Sequence, residues 1–147
     1  MEKISEHISY REATFSNTAI KKGIQNIPSD DQLRNMQILA EAIFEPLRAA
    51  LGGRMIRISS FFRCDTLNKT VGGSDTSQHL ANNGAAIDLD NDNNREIFDY
   101  IKNNLIFDQL IWEYGTDDEP DWVHVSYHSG HNRNEILRAI NGHYIKI

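Results

Sequence analysis

Gly84-Ala85-Ala86-Ile87-Asp88-Leu89-Asp90 is a short apolar run into which carboxylates are set. The part from Ala85 to Leu89 has the length and composition of a buried strand. Side chains alternate along a strand, so Asp88 shares a face with Ala86 and with Asp90. A carboxylate in such a run needs a partner, because burying an unpaired charge is costly. A metal ion is one candidate partner and Arg63 is another.

Working outward, Ser29 or Asp30 caps a helix that carries Leu33, Met36, Ala40, Ile43, Phe44 and Leu47 at helical spacing. Pro46 removes one of its hydrogen bonds and predicts a kink, and Gly52-Gly53 ends it. Arg54 to Ser60 alternates and reads as a strand. Leu67 to Val71 reads as a short helix before Gly72-Gly73. Beyond the central run, Asn93 or Asn94 caps a helix to about residue 104, with Ile97, Phe98 and Ile101 inward. Leu110–Trp112 and Trp122–Val125 read as strands joined by the acidic turn Gly115–Pro120. Residues 1–28 are polar and irregular, with a short helix around Ser16–Lys22. The tail, Asn134–Ile140, is amphipathic and reads as helical. The expected fold is α+β, with a small, mostly antiparallel sheet flanked by helices.

The chain has 147 residues, which suits a single domain over 1–147 with a core of its own. The formal net charge of −6 and the lack of a basic cluster disfavour nucleic acid as a partner. Cys64 is the one cysteine, so no disulfide forms within the chain. It reads as a partly buried small residue. No apolar stretch is long enough for a membrane span. No secretory signal follows Met1, which predicts a protein that is cytoplasmic as synthesised. A monomer is expected.

Ser77-Gln78-His79 precedes the central run, and Asp121-Trp122-Val123-His124 comes later. A hydrolytic zinc site takes three nitrogen or oxygen ligands and keeps a position open for water. Two histidines and one carboxylate meet that need and leave the site net positive, which helps acidify water. If the Ala85–Leu89 strand pairs with the strand bearing His124, Asp88 and His124 come within ligand distance. Asp121, three residues before His124, is placed to take a proton from the attacking water. Glu113 reads equally as a support for a ligand histidine and as a surface carboxylate. His128 and His131 read as loop histidines, with His128 a candidate to line the cleft. Trp112 and Trp122 read as core.

Ser77-x-His79, Gly84-x-Ala86-x-Asp88 and Asp121-x-x-His124 resemble the zinc motifs of the zinc D-alanyl-D-alanine carboxypeptidase family. That family includes VanX-type and VanY-type peptidases and phage L-alanyl-D-glutamate endolysins. Ser60-Phe61-Phe62-Arg63 and Leu67–Gly73 resemble its substrate-side segment. The resemblance implies a hedgehog/D-Ala-D-Ala-peptidase-like fold. It implies that His79, Asp88 and His124 bind Zn2+, that Asp121 is the catalytic base, and that Arg63 and Ser77 hold a substrate carboxylate or carbonyl. The familiar pattern has two residues between the first histidine and the glycine. Here Leu80, Ala81, Asn82 and Asn83 stand there, a longer turn that leaves Asp88 as the aligned ligand and Asp90 as the fallback. Asp121 stands where many members have Glu.

The implied activity is hydrolysis of peptidoglycan stem peptides, as a D-Ala-D-Ala carboxypeptidase or an L-Ala-D-Glu-type endopeptidase. A substrate outside the membrane and a chain with no visible signal are reconciled by phage-type release to the cell wall. The alternative from another class is a non-catalytic zinc-containing module that binds cell-wall peptide or a partner protein.

Overall fold

In the computed structural model, which describes residues 2–147, the polar N-terminal segment is tied down. A hairpin of β1 (Lys3–Ser5) and β2 (Ile8–Ser9) leads into α1 (Tyr10–Thr14) and α2 (Asn17–Lys22). Ser9 and Ser16 cap these helices by accepting from first-turn amides. Ile4, Ile8 and Ala13 are buried in the main core, which anchors the segment.

The long helix expected after Pro28 is one helical stretch in three parts. These are α3 (Asp30–Leu39), a π-helical turn (Ala40–Phe44) and α4 (Glu45–Ala50). Ser29 and Gln32 close a reciprocal capping box at its start. Pro46 has no N–H to return to the preceding turn. The wider π turn, in which the Glu45 N–H bonds the Ala40 carbonyl, lies directly before it and absorbs that loss.

The rest of the chain runs β3 (Arg57–Ser60), α5 (Asp65–Thr70), a 3-10 turn (Gln78–Leu80), β4 (Ala85–Asp90), α6 (Asn94–Asn104), β5 (Gln109–Glu113), β6 (Trp122–Tyr127), β7 (Glu135–Ile140) and β8 (His143–Lys146). The six strands from β3 onward form one sheet in the order β3-β4-β6-β5-β7-β8. The fold is α+β. The sheet is larger than expected and mixed, because β5 and β7 pair in parallel while its other neighbours are antiparallel.

The tail is a correction. Glu135–Ile140 is a strand, where a helix was expected. Its apolar residues fit both periods, and the open edge of β5 decides between them. Leu137 and Ala139 are buried two apart, the period of a strand. Asn141 and Gly142, both with positive φ, turn the chain back into β8.

The sheet has two unlike faces. Ala85, Ile87 and Leu89 of β4, Leu110 and Trp112 of β5, and Val123 and Val125 of β6 join the core beneath the helices. Leu39, Ile43 and Leu47 from the long helix and Ile97 and Ile101 from α6 complete that core. The intervening residues of these strands face the other way. On that second face Ile111, Leu137 and Ala139 make a small separate apolar cluster. Trp112 sits in the core as expected, edge-on to Phe98 with ring centroids 5.1 Å apart.

Candidate active site

The second face of the sheet is the floor of an open cleft of about 1130 Å³. Asp88 and His124 lie directly opposite each other on β4 and β6. Opposed side chains in a ladder are the closest neighbours that a sheet provides. His79 comes from the 3-10 turn that precedes β4. Asp88 Oδ1 lies 2.9 Å from His124 Nδ1 and 3.2 Å from His79 Nε2. One donor atom from each of the three residues falls within 4.8 Å of the others.

His79 is held from both sides. Its Nδ1 lies 2.7 Å from the Phe61 carbonyl, which can only accept, so Nδ1 donates. Its backbone carbonyl accepts from the Arg63 N–H at 2.9 Å. With Nδ1–H engaged, a neutral His79 turns the Nε2 lone pair toward the Asp88 carboxylate. Two acceptors then face each other unless a proton or a cation lies between them. This is the arrangement in which metal-ligating histidines are oriented by a carbonyl behind the ring. The residues present therefore fit a zinc ion, with His79, Asp88 and His124 able to hold it.

Burial pushes the Asp88 carboxyl up, but the charges and hydrogen bonds of His79 and His124 outweigh it and hold the group well below the ordinary carboxylate range. Asp90, the fallback ligand, is engaged elsewhere. It pairs with Arg57 and accepts from Asn94 Nδ2 at 2.7 Å. The longer turn before Gly84 is pinned to α3. Gln32 Nε2 donates to the Leu80 carbonyl and to Asn82 Oδ1, and Asn35 Nδ2 donates to the Ala81 carbonyl. Gly84 itself has φ +72°, and a Cβ there would lie 2.1 Å from the Tyr127 carbonyl oxygen.

Arg63 and Ser77 meet on the cleft wall. An Arg63 terminal nitrogen donates to Ser77 Oγ at 3.2 Å, and the same Oγ accepts from the His79 N–H. Arg63 Nε is buried without a hydrogen-bond partner among the described residues. Burial lowers the guanidinium's pKa, opposed by the Asp88 charge. Among the described residues no hydrogen-bonded carboxylate neutralises it, which leaves a cation beside the triad for an incoming anion.

The two carboxylates near His124 are placed very differently. Asp121 is exposed and is not part of the cleft lining. Its backbone N–H bonds the Glu113 carbonyl and its own carbonyl accepts from Asn94. Glu113 is buried and lines the cleft. It stands on β5 two residues beyond Ile111, which pairs with His124. Burial pushes its pKa up to about 7; the His124 charge lowers it and the Asp88 charge raises it further. The Glu113 carboxylate has no hydrogen-bond partner among the described residues. The sequence shows Glu113 two residues beyond Ile111 at the end of an apolar strand; only the strand pairing puts that face beside His124.

Other groups line the cleft as well, among them His128, the loop histidine expected there, and Trp122, which was expected in the core. Trp122 packs against Tyr114, with ring centroids 5.7 Å apart, on the cleft side. His128 and His131 stand at the cleft with ring centroids 4.8 Å apart. At one end Asp108 is buried and accepts two hydrogen bonds from the Arg133 side chain and one from Gln78 Nε2. That network ties the loop after β6 to the His79 turn.

A family model described as Peptidase M15 matches residues 6–126, which is most of the chain and includes all three triad residues. The chain belongs to the peptidase M15 family. M15 peptidases are zinc-dependent, so the metallopeptidase expectation holds at the level of the family. The match ends before β7 and β8, whose residues Leu137 and Tyr144 nonetheless line the cleft of this M15 peptidase. No curated protein matches the chain. No helix is long and apolar enough to cross a membrane among the described residues.

Proposed function

We propose that this M15 peptidase hydrolyses stem peptides of peptidoglycan, with zinc held by His79, Asp88 and His124. The observation that carries the reading is the convergence of two histidines and a carboxylate within 4.8 Å at the floor of an open cleft. Zinc, when bound, supplies Lewis acidity that acidifies water and polarises a carbonyl. The protein's own residues do the rest. The Arg63 guanidinium, steadied by Ser77, receives a carboxylate of the peptide. Stem peptides are rich in carboxylates, which suits that cation. The Phe61 carbonyl fixes the ring of His79.

The motif implies Asp121 as the proton acceptor; the cleft favours Glu113, and we take Glu113. Its carboxyl is buried, free of hydrogen bonds and raised toward neutrality, which suits a group that takes a proton from water and returns it to the leaving amine. A bound dication would draw that pKa down again, which keeps the acceptor ionised at working pH. Cytoplasmic synthesis of one peptidase domain over 1–147, acting as a monomer after phage-type release to the wall, belongs to the same proposal.

The test is incubation of the zinc-loaded protein with purified peptidoglycan fragments, with products read by mass spectrometry. Cleavage beside a D-amino acid, abolished by a chelator and restored by zinc, supports the reading. Full zinc occupancy with no cleavage of any fragment favours the non-catalytic peptide-binding module.

A further inference from the structure

The residues beyond the family match complete the cleft. Glu113 on β5 pairs with Ala139 on β7, and Ala139 pairs with Tyr144 on β8. Side chains opposite one another in a ladder project from the same face. Glu113, Ala139 and Tyr144 therefore form one row across three strands, and the row lies on the triad's face of the sheet. Adjacent strands lie about 4.8 Å apart, so Glu113 and Tyr144 start roughly 10 Å apart at the backbone. The residue between them is alanine, a short side chain that is itself buried against Ile111 and Leu137. A carboxylate and a phenol stand at the two ends of the row.

Three further observations put the phenol in the cleft. Tyr144 lines the cleft together with Leu137 of the same hairpin. Burial pushes the phenol's pKa up, and the charges of Glu113, Tyr114 and Asp88 raise it further while Arg63 lowers it. Its hydroxyl has no hydrogen-bond partner among the described residues, and the residue is 62% exposed, so the ring is not held there by core packing.

We propose that Tyr144 is a substrate-contacting residue whose hydroxyl donates a hydrogen bond to the carbonyl oxygen of the peptide bond being cleaved, across the cleft floor from Glu113. The ring walls the cleft on the hairpin side, beside Leu137. The assignment rests on the peptidase reading above. It makes the terminal hairpin part of the substrate site. A donor aimed at the oxygen that gains charge is worth most in the transition state.

The experiment uses the full-length zinc-loaded protein and its Tyr144→Phe and Tyr144→Ala variants. It measures zinc content, kcat and KM on the fragment that the parent cleaves, and the affinity of a phosphinate analogue of that bond. Tyr144→Phe is expected to keep its zinc and its KM and to lose about 10–100-fold in kcat, at or below the range for one oxyanion donor. The phosphinate analogue should bind more weakly by the same factor. Tyr144→Ala should lose the same kcat and in addition raise KM. Parental kcat and phosphinate affinity in Tyr144→Phe would overturn the assignment and leave the peptidase reading standing. A parent that cleaves no fragment overturns both.

Discussion

The centre of the sheet and its trailing edge reach the same cleft by different physical routes. At the centre, β4 and β6 are fixed on one face by a continuous core of Ile87, Leu89, Val123 and Val125, and on the other they present Asp88 and His124 in direct register. A one-residue slip there would turn the whole apolar set outward, so the core holds the two donors together. At the edge, β8 is exposed along its length and β7 rests on the small cluster of Ile111, Leu137 and Ala139. Little burial fixes the edge, and its register depends on the Asn141-Gly142 turn. The triad is thus backed by the main core, while the wall formed by β7 and β8 rests on a hairpin with little buried surface.

The strongest way to break this contrast lies at the two carboxylates near His124. Glu113→Gln should keep zinc and lose about 10²–10⁴-fold in kcat, whereas Asp121→Asn should stay near the parent. Steady-state kinetics beside metal analysis would check this, and the reverse pattern would return the role to Asp121.

Next in size is Gly84→Ala. The added methyl meets the Tyr127 carbonyl of the neighbouring strand at a positive φ. A loss of about 2–4 kcal/mol in denaturant unfolding is expected, since neither backbone can yield without moving the His79 turn or β6. An unchanged midpoint would show that the centre is looser than described. At the edge Leu137→Ala should cost about 2 kcal/mol, near the low end for buried leucine, because the cluster around it is small. Ile145→Ser on exposed β8 should stay within about 0.5 kcal/mol.

The pH dependence of the metal-free protein sharpens the same comparison. Folding raises the Glu113 pKa from 4.5 to about 7, so the folded state binds that proton more tightly than the unfolded one. The stabilisation from the protonated group is complete below pH 4.5 and is lost as pH rises through 7. Asp88 runs the other way: its contribution is present above its ordinary value of 3.8 and is lost in stronger acid. Glu113→Gln should flatten the decline in stability between pH 4.5 and 7, as read by thermal unfolding. A slope unchanged by that substitution would mean that another group is responsible.

How much of this could be read from the residues follows the same division. Alternation placed Asp88 and His124 on the faces of two strands but did not prove that those strands pair; the structure pairs them directly, with burial on the other face holding the register. The cap candidates Ser29 or Asp30 and Asn93 or Asn94 marked the two long helices by local chemistry, and the structure uses Ser29 and Asn93. The β7–β8 hairpin is hard to read in the sequence because Ile136, Leu137, Ala139 and Ile140 suit a helix as well as a strand. The Asn141-Gly142 pair, a strong hairpin signal, was the local cue against a helix. Glu113 was left undecided because its environment comes from three strands distant in sequence. Asp121 was favoured by motif spacing, which carries no information about the direction of a side chain just ahead of a strand. Trp122 reads as core from its sequence alone, because its partner Tyr114, just after β5, packs on it across strands, which spacing does not show.

The central claim is that His79, Asp88 and His124 form a zinc site on which hydrolysis depends. Elemental analysis of the purified parent, His79→Ala and His124→Ala, each reconstituted with zinc and freed of excess metal, tests it most directly. The account predicts one zinc per parent chain and its loss from both variants, with both still folded by circular dichroism. A parent that takes up no zinc, or variants that retain it, would contradict the account.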